Sequence, residues 1–348
     1  MSQFIYNLPK ENIALFPPKK RGTTKLLVLD RRTEKMEHKR YYNVVDYIKE
    51  GDVIVLNETK VEKRRTYFVT MRNGKEKILE VLFLNKENID RTGDNLWLVL
   101  IRGSKYLKEK DIIYAQEDKD IKLEIVKKQQ NGVIVKILSN INPEEIFNKI
   151  GHTPIPPYMQ RKDNKEDYTR YNTVFADKTG SVAAPTASLN LTEEILQNLK
   201  DKGVKVAKVE LKVGWGTFAP IREENIEDHK IHTEEINVSK ESADIINESI
   251  QNGKDVWAFG TTVARTLESC TNEKGLIKPY KGATELYIYP GYKWKVVKHL
   301  ITNFHMPDSS LILLVSSFAG TDLIKRAYQE ALSKNYKFLS YGDSMLIL

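Results

Sequence analysis

Three short stretches of the chain hold side chains able to move protons or grip a charged ligand. "EDHKIHTEE" puts His229, His232 and Glu234 close together, "TNFHMP" puts His305 just after Asn303, and "FGTTVARTLES" supplies Thr261, Thr262, Arg265 and Glu268. An imidazole beside a carboxylate suits acid–base chemistry near neutral pH, because environment can set the two pKa values apart. The spacing of His229, His232 and Glu234 also suits a metal ion, but no third ligand pattern or CxxC pair supports one, so none is expected. Each histidine taken alone serves as well as a hydrogen-bonded loop residue. There is no GxSxG, no P-loop and no context for a cysteine nucleophile.

Four segments rich in glycine and hydroxyl groups stand where a strand gives way to a helix or turn: "GSVAAPTAS", "VGWGTFAP", "FGTTVART" and "SYGDS". Backbone amides freed at such junctions bind polar or anionic groups, and small side chains let a ligand approach the main chain. Tight packing at strand ends explains any one of them equally well. Four together suggest a shared cleft. "GWG" lacks the full spacing of a dinucleotide loop.

The elements that must position these groups form an α/β chain with an inserted β region. "KLLVLD" and "GDVIVLNETK" read as strands. From about 66 to 141 the pattern is short strands alone, with turns at Thr92-Gly93-Asp94 and Asn131-Gly132. The expected fold is mixed α/β: residues 1–65 and 142–348 form a larger α/β domain, and 66–141 an inserted small antiparallel β-barrel. In the second half, Thr192 caps a helix with Ile195, Leu196 and Leu199 inward, stopped by Gly203. "VKVAKVELKVG" alternates Val209, Leu211 and Val213 against Lys208, Glu210 and Lys212. Ser239 opens a helix that Gly253 closes. "DVWAFG", "ELYIYPG" and "SMLIL" read as strands, and "SLILLVSSFAGTDLIKRAYQEALSK" as helical.

The chain has 348 residues, 41% hydrophobic and 29% charged, as expected of a globular protein rather than a disordered one. Its net charge of +8 fits a polyanionic partner such as nucleic acid, or simple solubility. "KVEKRR" offers Lys60, Lys63, Arg64 and Arg65 as RNA-phosphate contacts, although most basic runs are solvated surface. The single cysteine, Cys270, excludes an internal disulfide and favours a reducing compartment. No signal-peptide pattern opens the sequence, and "LILLVSSFAG" is too short to span a bilayer, so a cytoplasmic protein without a membrane partner is expected.

Taken in order, "YNLPKENIALFPPKKRGTTKLLVLD", "GDVIVLNETKV", "HTPIPPY", "RYNTVFA", "GSVAAPTASLNLT", "VGWGTF", "EDHKIHTE", "GTTVARTLES", "YPGY", "LITNFHMPDSSLILLVSSFAG" and "FLSYGDSMLI" resemble the S-adenosylmethionine:tRNA ribosyltransferase-isomerase family. The resemblance brackets the whole chain, and only the β insert is generic. It implies an α/β domain with an inserted β-barrel and a step of queuosine synthesis. The ribosyl group of S-adenosylmethionine is transferred and isomerised onto 7-aminomethyl-7-deazaguanine at the tRNA wobble position, giving epoxyqueuosine-tRNA, adenine and methionine. S-adenosylmethionine is then a cosubstrate, tRNA the partner, and no prosthetic group or metal is needed. A monomer is expected rather than a stable oligomer.

Carried over residue by residue, the resemblance implies catalytic roles for Glu234, His232, His305, Asn303 and Arg265. Glu234 with His232 would do the acid–base work, and His305 with Asn303 would position adenine or the deazaguanine. Substrate-binding positions would be Ser181, Pro185, Thr186, Asn190, Lys212, Gly214, Gly216, Thr217, His229, Thr261, Thr262, Glu268, Tyr341 and Asp343. Two departures stand out. The family usually has "TAGLHF" where this chain has "TASLNL", making a histidine Asn190. It usually has "LHVG" where this chain has "LKVG", making another Lys212. Asn cannot take up a proton and Lys is ordinarily a fixed cation. If those histidines are catalytic, a divergent enzyme using S-adenosylmethionine on another acceptor, or a weakened RNA-binding protein of the same fold, becomes the alternative.

Overall fold

The computed structural model describes residue 4 and residues 6–87, 95–139, 141–214, 221, 223 and 225–348. The chain divides into two compact units: Met1–Lys60, Pro156–Gln160 and Arg170–Leu348 form one, and Val61–Ile155 with Arg161–Thr169 the other.

The first unit begins with β1 (Lys25–Leu29), β2 (Met36–Arg40), helix α1 (Val44–Tyr47) and β3 (Val53–Asn57). Strand β4 (Thr59–Val61) lies where the chain leaves it. The second unit is built from β5 (Arg65–Arg72), β6 (Lys75–Glu87), β7 (Leu96–Arg102), β8 (Ile112–Ala115), β9 (Lys122–Gln129) and β10 (Gly132–Ile137). These strands close into an antiparallel barrel in the order β10-β7-β6-β5-β8-β9. Closure needs bending. Register shifts at Phe83/Asn85 and Ile134/Val135 supply it. Asn73 and Gly74, both at positive φ, make the two-residue turn between β5 and β6. The β9–β10 turn is Gln130-Asn131, with Gly132 already paired to Gln129, one residue earlier than the sequence suggests. The Thr92-Gly93-Asp94 turn lies outside the described residues.

Helix α2 (Pro143–Ile150) belongs to the barrel. Asn142 caps it by accepting from the Glu144 N–H at 3.2 Å, and Ile146, Phe147 and Ile150 complete the barrel core with Phe68, Phe83 and Trp97. Each such buried side chain contributes ~1.5–3 kcal/mol, so the compact barrel unit runs past residue 141, to Ile155. Helix α3 (Lys165–Arg170) follows at the return to the first unit.

The remaining elements are β11 (Lys178–Ser181), α4 (Glu193–Asp201), β12 (Lys205–Leu211), β13 (Glu234–Val238), α5 (Lys240–Gln251), β14 (Val256–Phe259), α6 (Thr261–Cys270), β15 (Tyr280–Thr284), β16 (His299–Asn303), α7 (Ser310–Ala319), α8 (Thr321–Ser333) and β17 (Ser344–Ile347). Among the described residues they complete a nine-stranded sheet, β15-β13-β12-β3-β14-β16-β17-β1-β2. Strands β12, β3, β14 and β16 are parallel; β13 runs against both of its neighbours, and β17 runs against β16 but parallel to β1. Alternation decides the layering. Val53, Val55, Val209, Leu211, Ala258 and Leu300 face α5, α6, α7 and α8, whereas Ile54, Leu56, Trp257, Phe259 and Ile301 face α1 and α4.

The caps follow the sequence. Thr192 accepts from the Ile195 N–H at 3.1 Å, and Ser239 from the Ser242 N–H at 3.1 Å. Two readings change. The long C-terminal helix is two, broken at Gly320 with φ 91°, a conformation that favours glycine. "ELYIYPG" is irregular, because the strand before it ends at Thr284.

Candidate active site

Parallel sheets place ligands outside the carboxyl ends of their strands, and the chemistry-bearing segments gather at that edge. Gly214 follows β12, Asn57 ends β3, Gly260 follows β14, Asn303 ends β16, and the antiparallel β13 and β17 begin there at Glu234 and Ser344.

At its center is a buried ion pair. Glu234, 4% exposed, meets Arg265, 5% exposed, through Oε2 and Nη1. Its other oxygen accepts the Gly214 N–H at 3.1 Å. Arg265 also donates from Nε to the Leu286 carbonyl at 3.1 Å, while its Nη2 has no hydrogen-bond partner among the described residues. The two residues lie 31 positions apart in sequence and meet because α6 packs across β13.

A cavity of about 430 Å³, counting its open mouth, has Glu234 and Arg265 in its wall together with His229, His232, Tyr287 and Ser310. Ile231, Ile288, Leu311 and Leu314 make the rest of the described wall apolar. His229 is fixed: Nδ1 lies 2.9 Å from Glu223, and its ring meets Tyr287 edge-on at 5.6 Å. His232 is exposed at the mouth. The Tyr287 hydroxyl is buried without a hydrogen-bond partner among the described residues, and burial, then the Glu223 charge and Tyr289, push it up to about 12, so it stays a donor. Among the described residues, no three His, Cys, Asp or Glu side chains converge as a metal site.

A second polar junction lies along the same edge. Thr186 Oγ1 donates to Asn303 Oδ1 at 2.8 Å, and Asn190 Nδ2 donates to the Gly342 carbonyl at 3.3 Å. Gly260, at φ 116°, lets α6 start against the one-turn helix at Thr186–Ser188: a Cβ there would lie 3.5 Å from Ala187. Thr262 Oγ1 accepts from Asn57 at 3.4 Å, and Thr261 is buried one residue before it. His305 is 8% exposed, bonded through Nε2 to Thr302 Oγ1 at 2.7 Å, with its main chain held by the hydroxyls of Tyr328 and Tyr6. Burial pulls this imidazole down to about 3. It is a neutral hydrogen-bonding group across the physiological range.

Other residues picked from sequence have internal employment. The Glu268 carboxylate accepts from Tyr292 and the N–H groups of Lys295, Val296 and Val297, tying down the "YKWKVV" loop. Asp343 accepts the N–H groups of Lys25 and Lys337 at 2.6 and 2.7 Å, and burial raises its pKa. Ser181 bridges Ala183 and Val213, which sets the turn before buried Pro185. Tyr341 packs edge-on against Tyr171 at 5.9 Å. In the barrel unit, Arg64 is spent on Glu62 and the Leu84 carbonyl, and Arg65 on Glu80 and the Ile155 carbonyl. Lys63 lies over Tyr168 at 4.5 Å, and Lys60 is half-buried. Of the four, the two lysines have no carboxylate at hydrogen-bond distance among the described residues, whereas both arginines do. Gly216 and Thr217 lie outside the described residues.

Lys212 is not brought to the cavity. Its Nζ pairs with Glu235 at 2.6 Å on exposed surface, and Glu235 faces away from Glu234 because neighbouring strand residues alternate. An exposed pair of this kind is worth about 0–1 kcal/mol. Lys212→Ala is therefore expected to keep turnover within about twofold of the parent and its melting temperature nearly unchanged. A tenfold loss in a steady-state assay would return Lys212 to the site.

The model for the family described as "Queuosine biosynthesis protein" matches residues 1–347 of this chain. The chain belongs to that family. A relative in Sulfurihydrogenibium sp. (strain YO3AOP1), named S-adenosylmethionine:tRNA ribosyltransferase-isomerase, is 42% identical over 348 residues, covering 100% of this chain and 99% of the relative. The protein of that name in Aquifex aeolicus (strain VF5) is 41% identical over 349 residues, with the same coverage. The crystal structure of S-adenosylmethionine tRNA ribosyltransferase from Thermotoga maritima shares 31% identity at a TM-score of 0.56, covering 99% of this chain and all of that one. Membership of the family agrees with the mixed α/β architecture carrying a closed barrel. No described helix is long and apolar enough to cross a membrane.

Proposed function

We propose that this chain is the S-adenosylmethionine:tRNA ribosyltransferase-isomerase of queuosine synthesis. It transfers and isomerises the ribosyl group of S-adenosylmethionine onto 7-aminomethyl-7-deazaguanine at the wobble position of tRNA, releasing adenine and methionine. The observation that carries the reading is the Glu234–Arg265 pair with His229 and His232 in one cavity at the carboxyl edge of the sheet, in a chain matched to the family from end to end.

The site's groups divide the work. A proton must leave the carbon beside the sulfonium. His232, in the cavity wall and open to solvent, is the group assigned to accept it. Glu234 is held on both oxygens, so its charge is fixed where a sulfonium cation can sit against it. Asn303 and the neutral His305 supply hydrogen bonds rather than charge, which suits positioning a heterocycle. Cytoplasmic tRNA is the acceptor under this reading, and Lys60 and Lys63 are the basic residues of "KVEKRR" retained as phosphate contacts.

Incubating the protein with ribose-labelled S-adenosylmethionine and tRNA bearing the deazaguanine precursor tests this. Adenine and methionine should appear in equal amounts, with the label on tRNA. Adenine release without labelled tRNA would point to another acceptor, binding without release to a weakened RNA-binding protein, and S-adenosylhomocysteine to a methyltransferase. Each of those outcomes overturns the reading.

A further inference from the structure

Two buried hydrogen-bond donors in the cavity wall have no acceptor among the described residues: Nη2 of Arg265 and the hydroxyl of Tyr287. A buried donor left unpaired costs ~1–3 kcal/mol, and these two open on one cavity, where a ligand can supply the acceptor. Both are fixed. Arg265 is anchored through Nη1 to Glu234 and through Nε to the Leu286 carbonyl, the residue just before Tyr287, and the Tyr287 ring lies against His229. Resting on the proposed function, we infer that Arg265 Nη2 and Tyr287 form a subsite for the α-carboxylate of the methionyl tail of S-adenosylmethionine.

The chemistry of the wall selects that group. Two unpaired donors in one wall, one of them a cation, suit an anion with two oxygens, and guanidinium with phenol gives a carboxylate both charge and direction. Ile231, Ile288, Leu311 and Leu314 give the tail's methylene groups an apolar surface. Glu234, joined to the same guanidinium, offers a negative charge to the cationic part of the ligand, so the ligand's opposite charges find opposite partners. Tyr287 is thereby a substrate-positioning residue that the sequence, read as a strand at "ELYIYPG", does not single out.

Calorimetric titration of the full chain with S-adenosylmethionine and with its decarboxylated analogue tests this, using the parent and Tyr287→Phe. The parent should bind the intact cosubstrate at least tenfold more tightly than the decarboxylated one. Tyr287→Phe should weaken the intact ligand by about tenfold or more, the loss expected for a hydrogen bond to a charged group, and leave the decarboxylated ligand within about twofold. Equal affinity of the parent for both ligands overturns the subsite whatever becomes of the variant. Equal weakening of both ligands by the variant assigns Tyr287 a general packing role and also overturns it. Failure of the parent to bind either ligand overturns the proposed function itself.

Discussion

Glu234→Gln is expected to lower adenine release by about 10²–10³-fold and to destabilise the fold by roughly 3–5 kcal/mol. The amide is nearly the same shape, so Gly214 keeps an acceptor for its N–H. What goes is the negative charge. Arg265 is then a cation at 5% exposure with no counter-ion at its Nη1, and removing one partner of a buried pair leaves the other uncompensated. The loss of activity has a separate origin: the carboxylate no longer opposes the sulfonium. The two effects separate in the double variant Glu234→Gln/Arg265→Met, which removes both charges and should recover most of the stability but none of the activity. Urea unfolding and a stopped assay of adenine release read them independently. Parent-like turnover in Glu234→Gln would remove Glu234 from the chemistry.

The elements were more legible than the site. Alternation of Val209, Leu211 and Val213 against Lys208, Glu210 and Lys212 reports a strand with one buried face, and that is how β12 lies. Thr192 and Ser239 announce α4 and α5 because a hydroxyl before an apolar stripe has few other uses. The errors fall where local pattern is silent about long-range packing. Phe147 on α2 reads like any apolar helix residue until the barrel core receives it. Gly320 breaks a helix that hydrophobic spacing alone runs straight through. Asn73-Gly74 carries the residue types of a tight hairpin turn, and both residues take positive φ where β5 turns into β6.

The site was legible by residue type and not by partnership. Glu234, His229 and His232 share one motif and Arg265 comes from another, and nothing local pairs Glu234 with Arg265. Glu268 and Asp343 look like ligand groups in sequence, yet both spend their carboxylates on backbone amides. A short motif shows that a carboxylate is wanted, not whether a ligand or a loop wants it. Asn190, where the family's usual histidine is absent, holds the Gly342 carbonyl across 152 positions. That is a positional task an amide performs without any proton transfer.

Acidification is expected to reveal His305. In the folded chain burial holds its pKa near 3, against 6.5 for an ordinary imidazole. Folded His305 thus stays neutral while the unfolded chain takes up a proton below 6.5. The unfolded state binds more protons, so stability rises with pH across this interval. The contribution is fully present above pH 6.5 and is lost as pH falls toward 3, at about 1.4 kcal/mol per unit for one proton. By pH 5 the loss from this residue alone is roughly 2 kcal/mol. His299, also held low by burial, adds a parallel contribution, whereas the raised pKa of Asp343 acts in the opposite sense. His305→Gln keeps an acceptor for Thr302 but cannot titrate. The difference between parent and variant therefore cancels His299 and Asp343. Urea midpoints measured from pH 8 to pH 5 should run parallel above about pH 7 and converge below it, the variant losing less. Parallel curves throughout would mean that His305 takes up its proton in the folded protein, and would make it a candidate acid rather than a fixed neutral contact.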